Sequence, residues 1–513
     1  MRALRLTCAL AALLWLVTVS AEAQGTANKF GVITHDATLN YPAPAYPEIV
    51  NADLGWVRLH AFWRLIELEQ GACTPAQPDL QKCKWSNLDD NVNAAYQRGL
   101  QIYIGIGFWP PAWANNSDPA CGIHTTCAAK APTNTAYYPA FVKALVRRYK
   151  DRVKYYAIWN EPDLNTNWNV PSNSTDRFVK EILIPGADAV RAAAAEAPAV
   201  TVKVIGGEVA DNHNMLGNML WSGYGTCAKL DIIAVHLFRY DVKRNTDHLK
   251  FDYLPKIDQT CGASKPVWVT AFGFPLDEIT PPAGVDELEY QGQLYRDQFA
   301  ALDAIPRVGR IIFFNLVDST DPDQRTGLLT SSYGRKPVFT KLQAYLASPQ
   351  TIWVEDAIPA GATAFAEGGD AWNWTSTNPP PLSGALNHQS NLVAGMHQHA
   401  FVNATQTLTV NSGDVLTAFV YLDPLNPPTE VMLQWNDGTW DHRAYWGADN
   451  ITWFGPRVSM GPLPPTGKWV RLEVPASSVG LPAGRILNGM AFTLYDGRAT
   501  WDRAGKRTAS PVP

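Results

Sequence analysis

The feature that most constrains the fold is a regular alternation of strand and helix patterns between Phe30 and Leu346. Short runs of β-branched and aromatic residues are each followed by an amphipathic or connecting segment, and the count of such units reaches eight. Strands joined by helical crossovers run parallel to one another. The pattern therefore predicts an α/β fold, a (β/α)8 TIM barrel, whose reactive groups come from the loops after the strands.

The positions of these elements follow from the hydrophobic pattern. The predicted strands are 30–33, 55–60, 101–106, 153–159, 202–205, 232–236, 266–270 and 310–315. The predicted helical or connecting segments are 88–99, 136–150, 178–195, 215–221, 247–260, 287–302 and 336–346. The first domain then spans residues 24–347.

The fourth strand belongs to the stretch from Val153 to Asp163, which reads V-K-Y-Y-A-I-W-N-E-P-D. Its alternation predicts a strand that Pro162 stops, and Pro162 also favours an extended backbone at Glu161. We therefore expect Glu161 to present a carboxylic acid at the strand tip, with the Asn160 amide beside it to hydrogen-bond a hydroxyl. The alternative is an edge strand that runs into a surface turn.

The W-N-E-P motif after an apolar strand resembles the acid/base strand of the retaining glycoside hydrolases of clan A. Their (β/α)8 barrels carry the acid/base Glu after strand four and a nucleophile Glu at the end of strand seven. The resemblance covers the barrel, and within the clan it looks closest to glycoside hydrolase family 39. It implies a hydrolase of oligo- or polysaccharides with Glu161 as acid/base, and it does not identify the sugar.

Strand seven departs from the family pattern. The family reads T-E-F-G or T-E-W-G after an apolar strand, whereas this chain reads T-A-F-G from Thr270 to Gly273. Ala271 therefore stands at the nucleophile position. A retaining hydrolase needs one carboxyl group to protonate the leaving oxygen and a second to attack the anomeric carbon. An alanine methyl can do neither, and the sequence leaves open whether Ala271 is the native residue.

Other strand ends supply candidate substrate-binding residues. They are Arg58, Trp109, Asn160, Trp168, Glu208, His236, Tyr240 and Asn315. The resemblance implies that Arg58 supports the nucleophile carboxylate and that His236 belongs to the site. Structural roles for both remain alternatives.

Three of these candidates depend on the expected barrel geometry. Trp109 and Trp168 are aromatic side chains near the barrel mouth and would suit stacking on sugar rings, with loop packing as the alternative. Glu208 is the acid nearest to the site that might replace a nucleophile. Strand five lies beside strand four and away from strand seven, so we expect Glu208 to bind or support ligand instead.

After residue 347 the helix signals disappear. Alternating runs at 407–410, 415–422 and 431–435, separated by Pro- and Gly-rich turns, predict an all-β sandwich over residues 352–513. It has a general likeness to carbohydrate-associated sandwiches of secreted bacterial enzymes.

Nine of the nineteen tryptophans lie in this second domain, and core packing is the expected role for most of them. His388, His397, His399 and His442 lack metal-ligand spacing, so we predict neither a metal nor a cofactor.

The N-terminal segment and the cysteines indicate export. Residues 1–23 carry two arginines, an apolar run and an A-E-A cleavage pattern, which predicts a signal peptide and a secreted or periplasmic protein. No later stretch is long and apolar enough to span a bilayer. Six of the seven cysteines remain after cleavage, and proximity pairs Cys73 with Cys83, Cys121 with Cys127, and Cys227 with Cys261.

The net charge of -5 argues against nucleic acid as a partner.

Three functions remain after these observations. The first is a secreted retaining glycoside hydrolase in a form that lacks its nucleophile. The second is a carbohydrate-binding protein without catalysis, and the third is a surface-attachment protein that acts through the sandwich. The joint presence of Arg58, Asn160, Glu161 and His236 favours the first.

Overall fold

The computed structural model describes residues 28–34, 45–74, 79–172, 174–319, 325–346, 350–452 and 455–508. The predicted signal peptide lies outside these residues. None of the helices in this part of the chain combines the length and the apolar composition that crossing a membrane requires.

The first eight strands form a closed parallel barrel in chain order, which confirms the predicted fold. They are β1 (Phe30–Ile33), β2 (Trp56–Ala61), β3 (Gln101–Ile106), β4 (Tyr155–Ile158), β5 (Lys203–Val209), β6 (Ile232–Leu237), β7 (Val267–Phe272) and β8 (Val308–Phe313). Every predicted strand is present, with ends displaced by a few residues at most.

Helices surround the barrel between the strands. They are α1 (Tyr46–Asn51), α2 (Trp63–Ile66), α3 (Ser86–Gln97), α4 (Ala112–Asn115), α5 (Tyr137–Tyr149), α6 (Ser174–Phe178), α7 (Ile184–Ala195), α8 (His213–Met219), α9 (Thr226–Lys229), α10 (Val242–Asp247), α11 (Leu254–Cys261), α12 (Glu287–Asp303) and α13 (Pro337–Leu346). Two segments, Val179–Leu183 and His248–Tyr253, are π-helical.

Strand β2 shows how the sequence distributes side chains between the two faces of the barrel wall. Successive side chains of a strand point to opposite faces. Val57 and Leu59 pack outward into the core shared with the helices, whereas Trp56 belongs to the cluster that fills the barrel interior. Arg58 and His60 alternate with Val57 and Leu59 and are both buried. The polar side chains of β2 are therefore directed to the interior, toward the carboxyl ends of the strands.

The C-terminal part of the chain is all-β, as predicted. Two six-stranded sheets and a two-stranded one are formed. The strands are β9 (Gln350–Val354), β10 (Thr363–Glu367), β11 (Asn373–Thr375), β12 (Asn387–Gln389), β13 (Met396–Val402), β14 (Leu408–Thr409), β15 (Asp414–Leu422), β16 (Glu430–Asn436), β17 (His442–Gly447), β18 (Val458–Ser459), β19 (Trp469–Pro475), β20 (Ile486–Leu487), β21 (Gly489–Tyr495) and β22 (Ala499–Thr508). Trp435 and Trp501 are buried in the core of the sandwich, so core packing is the role of these rings.

The sandwich contacts the barrel through polar and apolar groups. Arg471 on β19 forms an ion pair with Asp53 at 3.1 Å, and Arg503 on β22 donates to the carbonyl of Val50 at 3.0 Å. Trp469 is buried as part of the barrel's outer core. The two arginines thereby join the sandwich to α1 and to the residues that follow it.

All three predicted disulfides are confirmed. They join Cys73 to Cys83, Cys121 to Cys127, and Cys227 to Cys261. All three lie in the barrel domain, and the last one connects α9 to the end of α11.

Removing a disulfide should lower the free energy of unfolding, and the loss should be larger for a disulfide that closes a longer loop. Replacing Cys227 and Cys261 together by Ala opens a loop of 34 residues, and we expect a loss of roughly 3 to 4 kcal/mol of unfolding free energy. The matched change at Cys121 and Cys127 opens a loop of 6 residues and should cost roughly 2 kcal/mol. Urea unfolding measures the free energy of unfolding of both variants. A larger loss in the Cys121/Cys127 variant than in the Cys227/Cys261 variant would contradict this prediction.

Candidate active site

A cavity of about 320 Å³ opens at the carboxyl ends of the barrel strands. It is lined by Ile33, Arg58, His60, Phe62, Phe108, His124, Asn160, Glu161, Leu164, Thr166, Asn167, His236, Phe238, Tyr240, Ala271, Pro275, Phe314 and Thr326. Six of the residues singled out from the sequence are among them, contributed by strands that are far apart in the chain. A cavity with an apolar wall and a few convergent polar groups is typical of a ligand site.

Glu161 reaches this cavity through a sharp turn rather than through an extended strand tip. Trp159 and Glu161 have φ values of 71° and 45°, so the prediction of an extended backbone at Glu161 was wrong. The left-handed turn is held because the N–H of Glu161 donates to the carbonyl of Glu208 at 2.9 Å, and the N–H of Leu164 donates back to the carbonyl of Glu161. Tertiary hydrogen bonding thus overrides the local preference that Pro162 imposes.

The carboxylate of Glu161 is held by three neighbours. His236 Nδ1 lies 2.7 Å from Oε1, and the side-chain amides of Asn160 and Asn167 donate to Oε2 at 3.2 and 3.5 Å. Burial alone would raise the pKa of Glu161, but the hydrogen bond and charge of His236, with the charge of Arg58, lower it below its ordinary value. His236 and Arg58 therefore favour the ionised form of Glu161.

His236 lies beside both Glu161 and Ala271. It lies at the end of β6 and pairs in register with Ala271 on β7. Burial lowers the pKa of His236, while hydrogen bonds to Glu161 and Glu208 raise it, and the net direction is upward. Ala271 lines the cavity with its methyl group. Glu161 and Ala271 are therefore both neighbours of His236, Glu161 through the imidazole and Ala271 through the sheet.

Arg58 is a fully buried cation at the base of the cavity. Its guanidinium donates to Asn160 Oδ1 at 2.6 Å, to Glu208 Oε2 at 3.0 Å and to the carbonyl of Thr270 at 3.1 Å. A further contact places a guanidinium nitrogen 3.3 Å from His236 Nε2. One side chain of β2 thereby contacts groups from β5, β6 and β7 and from the turn after β4.

Glu208 occupies a place that the sequence did not predict. A bulge shifts the register between β5 and β6 at Gly207, where φ is 108° and a Cβ would lie 2.5 Å from the carbonyl oxygen of Ala234. The bulge turns the Glu208 side chain into the barrel, where Tyr103 and Thr270 donate to Oε1. The expectation that Glu208 lies away from strand seven was wrong, because an interior side chain spans the narrow barrel.

The surroundings of Glu208 make it a support for Arg58 rather than a ligand contact. The residue is fully buried, and it does not line the cavity. Burial has the largest effect and raises the pKa of Glu208, but the charge of Arg58, the hydrogen bond and charge of His236 and the hydrogen bond of Tyr103 together outweigh it, and the pKa falls to about 2. Glu208 is thus the counter-ion of Arg58.

Three further predicted substrate contacts, besides Glu208, do not line the cavity. Trp109 is buried behind Phe62, on which its ring stacks at 5.8 Å, and its Nε1 donates to the carbonyl of Thr166. Trp168 packs on Trp159 and donates to the carbonyl of Ser174.

The third is Asn315. Its Oδ1 accepts from the N–H of Val317 at 2.9 Å, and the side chain is buried. Internal hydrogen-bond partners therefore account for all three side chains.

The aromatic wall of the cavity comes from residues that sequence reasoning missed. Phe62, Phe238 and Phe314 line it, and each directly follows a barrel strand, namely β2, β6 and β8. Their position at strand ends was the signal that could have identified them. Tyr240, which was predicted, completes this wall.

Neutralising Glu208 should destabilise the fold strongly. Glu208→Gln leaves the buried guanidinium of Arg58 without its counter-ion, and breaking a buried pair costs about 3 to 5 kcal/mol. Glu196→Gln is the matched control, because the Arg147–Glu196 pair is about half exposed, and it should leave the melting temperature almost unchanged.

The pH dependence gives the same test a second readout. The pKa of Glu208 falls from 4.5 to about 2 on folding, so its stabilisation is present above pH 4.5 and is lost as the pH falls toward 2. Urea unfolding between these pH values should show this loss in the parent chain and not in Glu208→Gln. Equal pH slopes in the two proteins would contradict the assignment.

Comparison with known families agrees with the site. Residues 111–344 match the family model described as "Glycosyl hydrolase catalytic core". The match is shorter than half of the chain, yet it includes Glu161, His236 and Ala271. It confirms the resemblance to glycoside hydrolases and supports a glycosidase function. No curated protein matches the chain significantly.

Three solved structures with a similar fold are distant in sequence. A family 39 glycoside hydrolase from Bacteroides cellulosilyticus WH2 has 12% identity and a TM-score of 0.45, covering 91% of this chain and 80% of that chain. A family 30 endoxylanase from Clostridium papyrosolvens C71 has 13% identity and a TM-score of 0.44, covering 91% and 96%. A family 5 subfamily 18 enzyme from Streptomyces cattleya has 14% identity and a TM-score of 0.44, covering 62% and 79%. These values are low, so the barrel assignment rests on the closed sheet itself.

Proposed function

We propose that the chain is a secreted glycoside hydrolase built for retaining hydrolysis of an oligo- or polysaccharide and present here without its nucleophile. Glu161 is the general acid/base and position 271 is the nucleophile site. The observation that carries this proposal is the arrangement around His236, which contacts Glu161 at 2.7 Å and pairs with Ala271 in the sheet register. His236 is thus next to both of the places where a retaining enzyme needs carboxylates, and both line the same cavity.

The remaining groups suit the same reaction. The Arg58 guanidinium donates to the carbonyl of Thr270, the residue before position 271, and its positive charge would keep a carboxylate at position 271 ionised for attack. Asn160 and Tyr240 line the cavity and can hydrogen-bond sugar hydroxyls, and the phenylalanine wall offers faces for the apolar side of a sugar ring. Three disulfides suit an oxidising compartment, which supports export.

Ala271 affects the acid as well as the attack. A general acid must carry a proton, yet the pKa of Glu161 is lowered by its neighbours. A carboxylate at position 271 would repel the negative charge of Glu161, and it would also partly neutralise the positive charge of Arg58. Both effects raise the pKa of Glu161. The missing side chain therefore removes the nucleophile and leaves the acid ionised.

Ala271→Glu should create or restore glycosidase activity. Loss of a nucleophile can cost on the order of 10⁶ in rate, judged from protease variants, so the gain should be very large. Initial rates on a panel of aryl glycosides and polysaccharides measure it. If the variant folds and binds sugar yet hydrolyses no member of the panel, the carbohydrate-binding function replaces this proposal.

The double variant Ala271→Glu with Glu161→Gln separates the two roles. It should still form the glycosyl-enzyme from substrates with good leaving groups, because those do not need a proton. Turnover of unactivated glycosides should be lost. Equal activity of the single and double variants on an unactivated oligosaccharide would remove Glu161 from the acid/base role.

Carbohydrate binding without catalysis is the second candidate, and Ala271 is the observation that favours it. In both cases the present chain should bind an oligosaccharide in the cavity. Tyr240→Ala should weaken that binding by roughly 1 to 3 kcal/mol, since the ring lies in the cavity wall. Trp109→Ala should instead cost about 3 to 5 kcal/mol of stability, because the ring is buried.

Calorimetric titration with an oligosaccharide panel and urea unfolding distinguish the effect of the tyrosine from that of the tryptophan. If folded Trp109→Ala loses as much affinity as Tyr240→Ala, Trp109 contacts the sugar and is not only a packing residue. Unchanged affinity in Tyr240→Ala would remove this side chain from the sugar contacts.

A further inference from the structure

A second group of chemically reactive side chains lies beside the barrel mouth, outside the cavity. His213 is the first residue of α8, after β5, and His248 and Asp252 lie in the π-helical segment after α10. One ligand atom from each of the three falls within 4.8 Å of the others. His213 and His248 are far apart in the chain, so no local spacing in the sequence reveals the group.

The hydrogen bonding of His248 resembles that of a metal-binding imidazole. The ring is almost fully buried. Its Nδ1 lies 2.7 Å from Asp252 Oδ2. Its Nε2 lies 3.1 Å from Asp211 Oδ1 but without the geometry of a hydrogen bond, so this buried nitrogen has no hydrogen-bond partner among the described residues. Metal-ligating histidines usually have a carboxylate near the nitrogen that does not bind the ion, which fixes the ring and its tautomer. Asp211 is that carboxylate here, and Nδ1 is the nitrogen that faces Asp252.

His213 supplies an independent observation. Its Nδ1 is inaccessible to solvent and has no hydrogen-bond partner among the residues that the structure describes. A buried polar atom without a partner is costly, and such an atom often faces the place where an ion binds. The His213 ring lies 5.5 Å from the His248 ring between centroids.

We infer that His213, His248 and Asp252 bind a divalent first-row transition cation, with Zn²⁺ as the representative ion. Imidazole nitrogens suit zinc, copper, iron and nickel, whereas Ca²⁺ and Mg²⁺ prefer all-oxygen sites. Ligand atoms on a tetrahedral zinc with bonds of about 2.1 Å lie about 3.4 Å apart. In the present group the ligand atoms lie within 4.8 Å of one another, and His248 Nδ1 and Asp252 Oδ2 are 2.7 Å apart. A bound ion would therefore widen the His248–Asp252 pair, and the Asp252 side chain, which is 42% exposed, can rotate to allow this.

The position of the site gives the ion a structural role. It would join the loop after β5, which carries His213, to the π-helical segment after β6. The same loop donates the N–H groups of Ala210, Asp211 and Asn212 to the carboxylate of Asp163. Asp163 is two residues from Glu161. A bound ion therefore holds the loop against which the Glu161 turn is fixed.

The test uses full-length protein without a histidine tag, stripped with a chelator and titrated with Zn²⁺ by calorimetry. We expect one saturable site and a higher melting temperature in the presence of Zn²⁺. Ca²⁺ should produce neither effect. Co²⁺ in place of Zn²⁺ should give visible absorption bands, which report direct nitrogen coordination independently of any enzymatic activity.

Variants locate the site. His213→Ala and Asp252→Ala should each weaken Zn²⁺ binding at least tenfold, and Asp211→Asn should weaken it about tenfold through the orientation of His248. Asp247→Ala is the matched control, since this carboxylate lies in the adjoining helix and pairs with Lys243, and it should bind as the parent does.

Two outcomes would overturn the inference. One is the absence of saturable Zn²⁺ binding to the folded parent protein. The other is unchanged binding in folded His213→Ala and Asp252→Ala, with circular dichroism as the check of folding. Neither depends on the glycosidase proposal, because no substrate is used.

Discussion

The site depends on one buried cation, the guanidinium of Arg58. A charge removed from water costs several kcal/mol unless it is paired and fully hydrogen-bonded. Here Glu208 provides the opposite charge at 3.0 Å, and Asn160 and the carbonyl of Thr270 accept further N–H groups. These partners, which come from several strands of the barrel interior, make the burial of Arg58 possible.

The same pairing explains how the chain retains an ordered site without a carboxylate at position 271. In the resembling hydrolases the arginine of strand two supports the nucleophile. In this chain Glu208 compensates the charge of Arg58, so Ala271 leaves no unpaired buried charge at Arg58. Glu161 holds Nδ1 of His236. Glu161, His236 and Arg58 are therefore held in place without a charged side chain at position 271.

The parts of the structure that could be predicted from sequence are those set by local periodicity. The strand that ends before Glu161 and the disulfide pairs are examples, since hydrophobic alternation and chain proximity determine them. Glu208 could not be placed, because its direction depends on a bulge between β5 and β6 that exists only in the assembled sheet. Trp109 was misassigned for a related reason. A tryptophan in a loop sequence looks exposed until the neighbouring Phe62 is known to cover it.

The central claim is that the cavity is a retaining glycosidase site from which only the nucleophile is missing. The most direct measurement adds azide or formate to the present chain with activated aryl glycosides, and determines the anomeric configuration of the product by NMR. A small anion that enters the space beside the Ala271 methyl should attack in place of the missing carboxylate. The account predicts faster release of the aryl group and a product of inverted configuration. A product of retained configuration would contradict it, because that outcome requires a nucleophile elsewhere in the protein, and so would the absence of any acceleration across the panel.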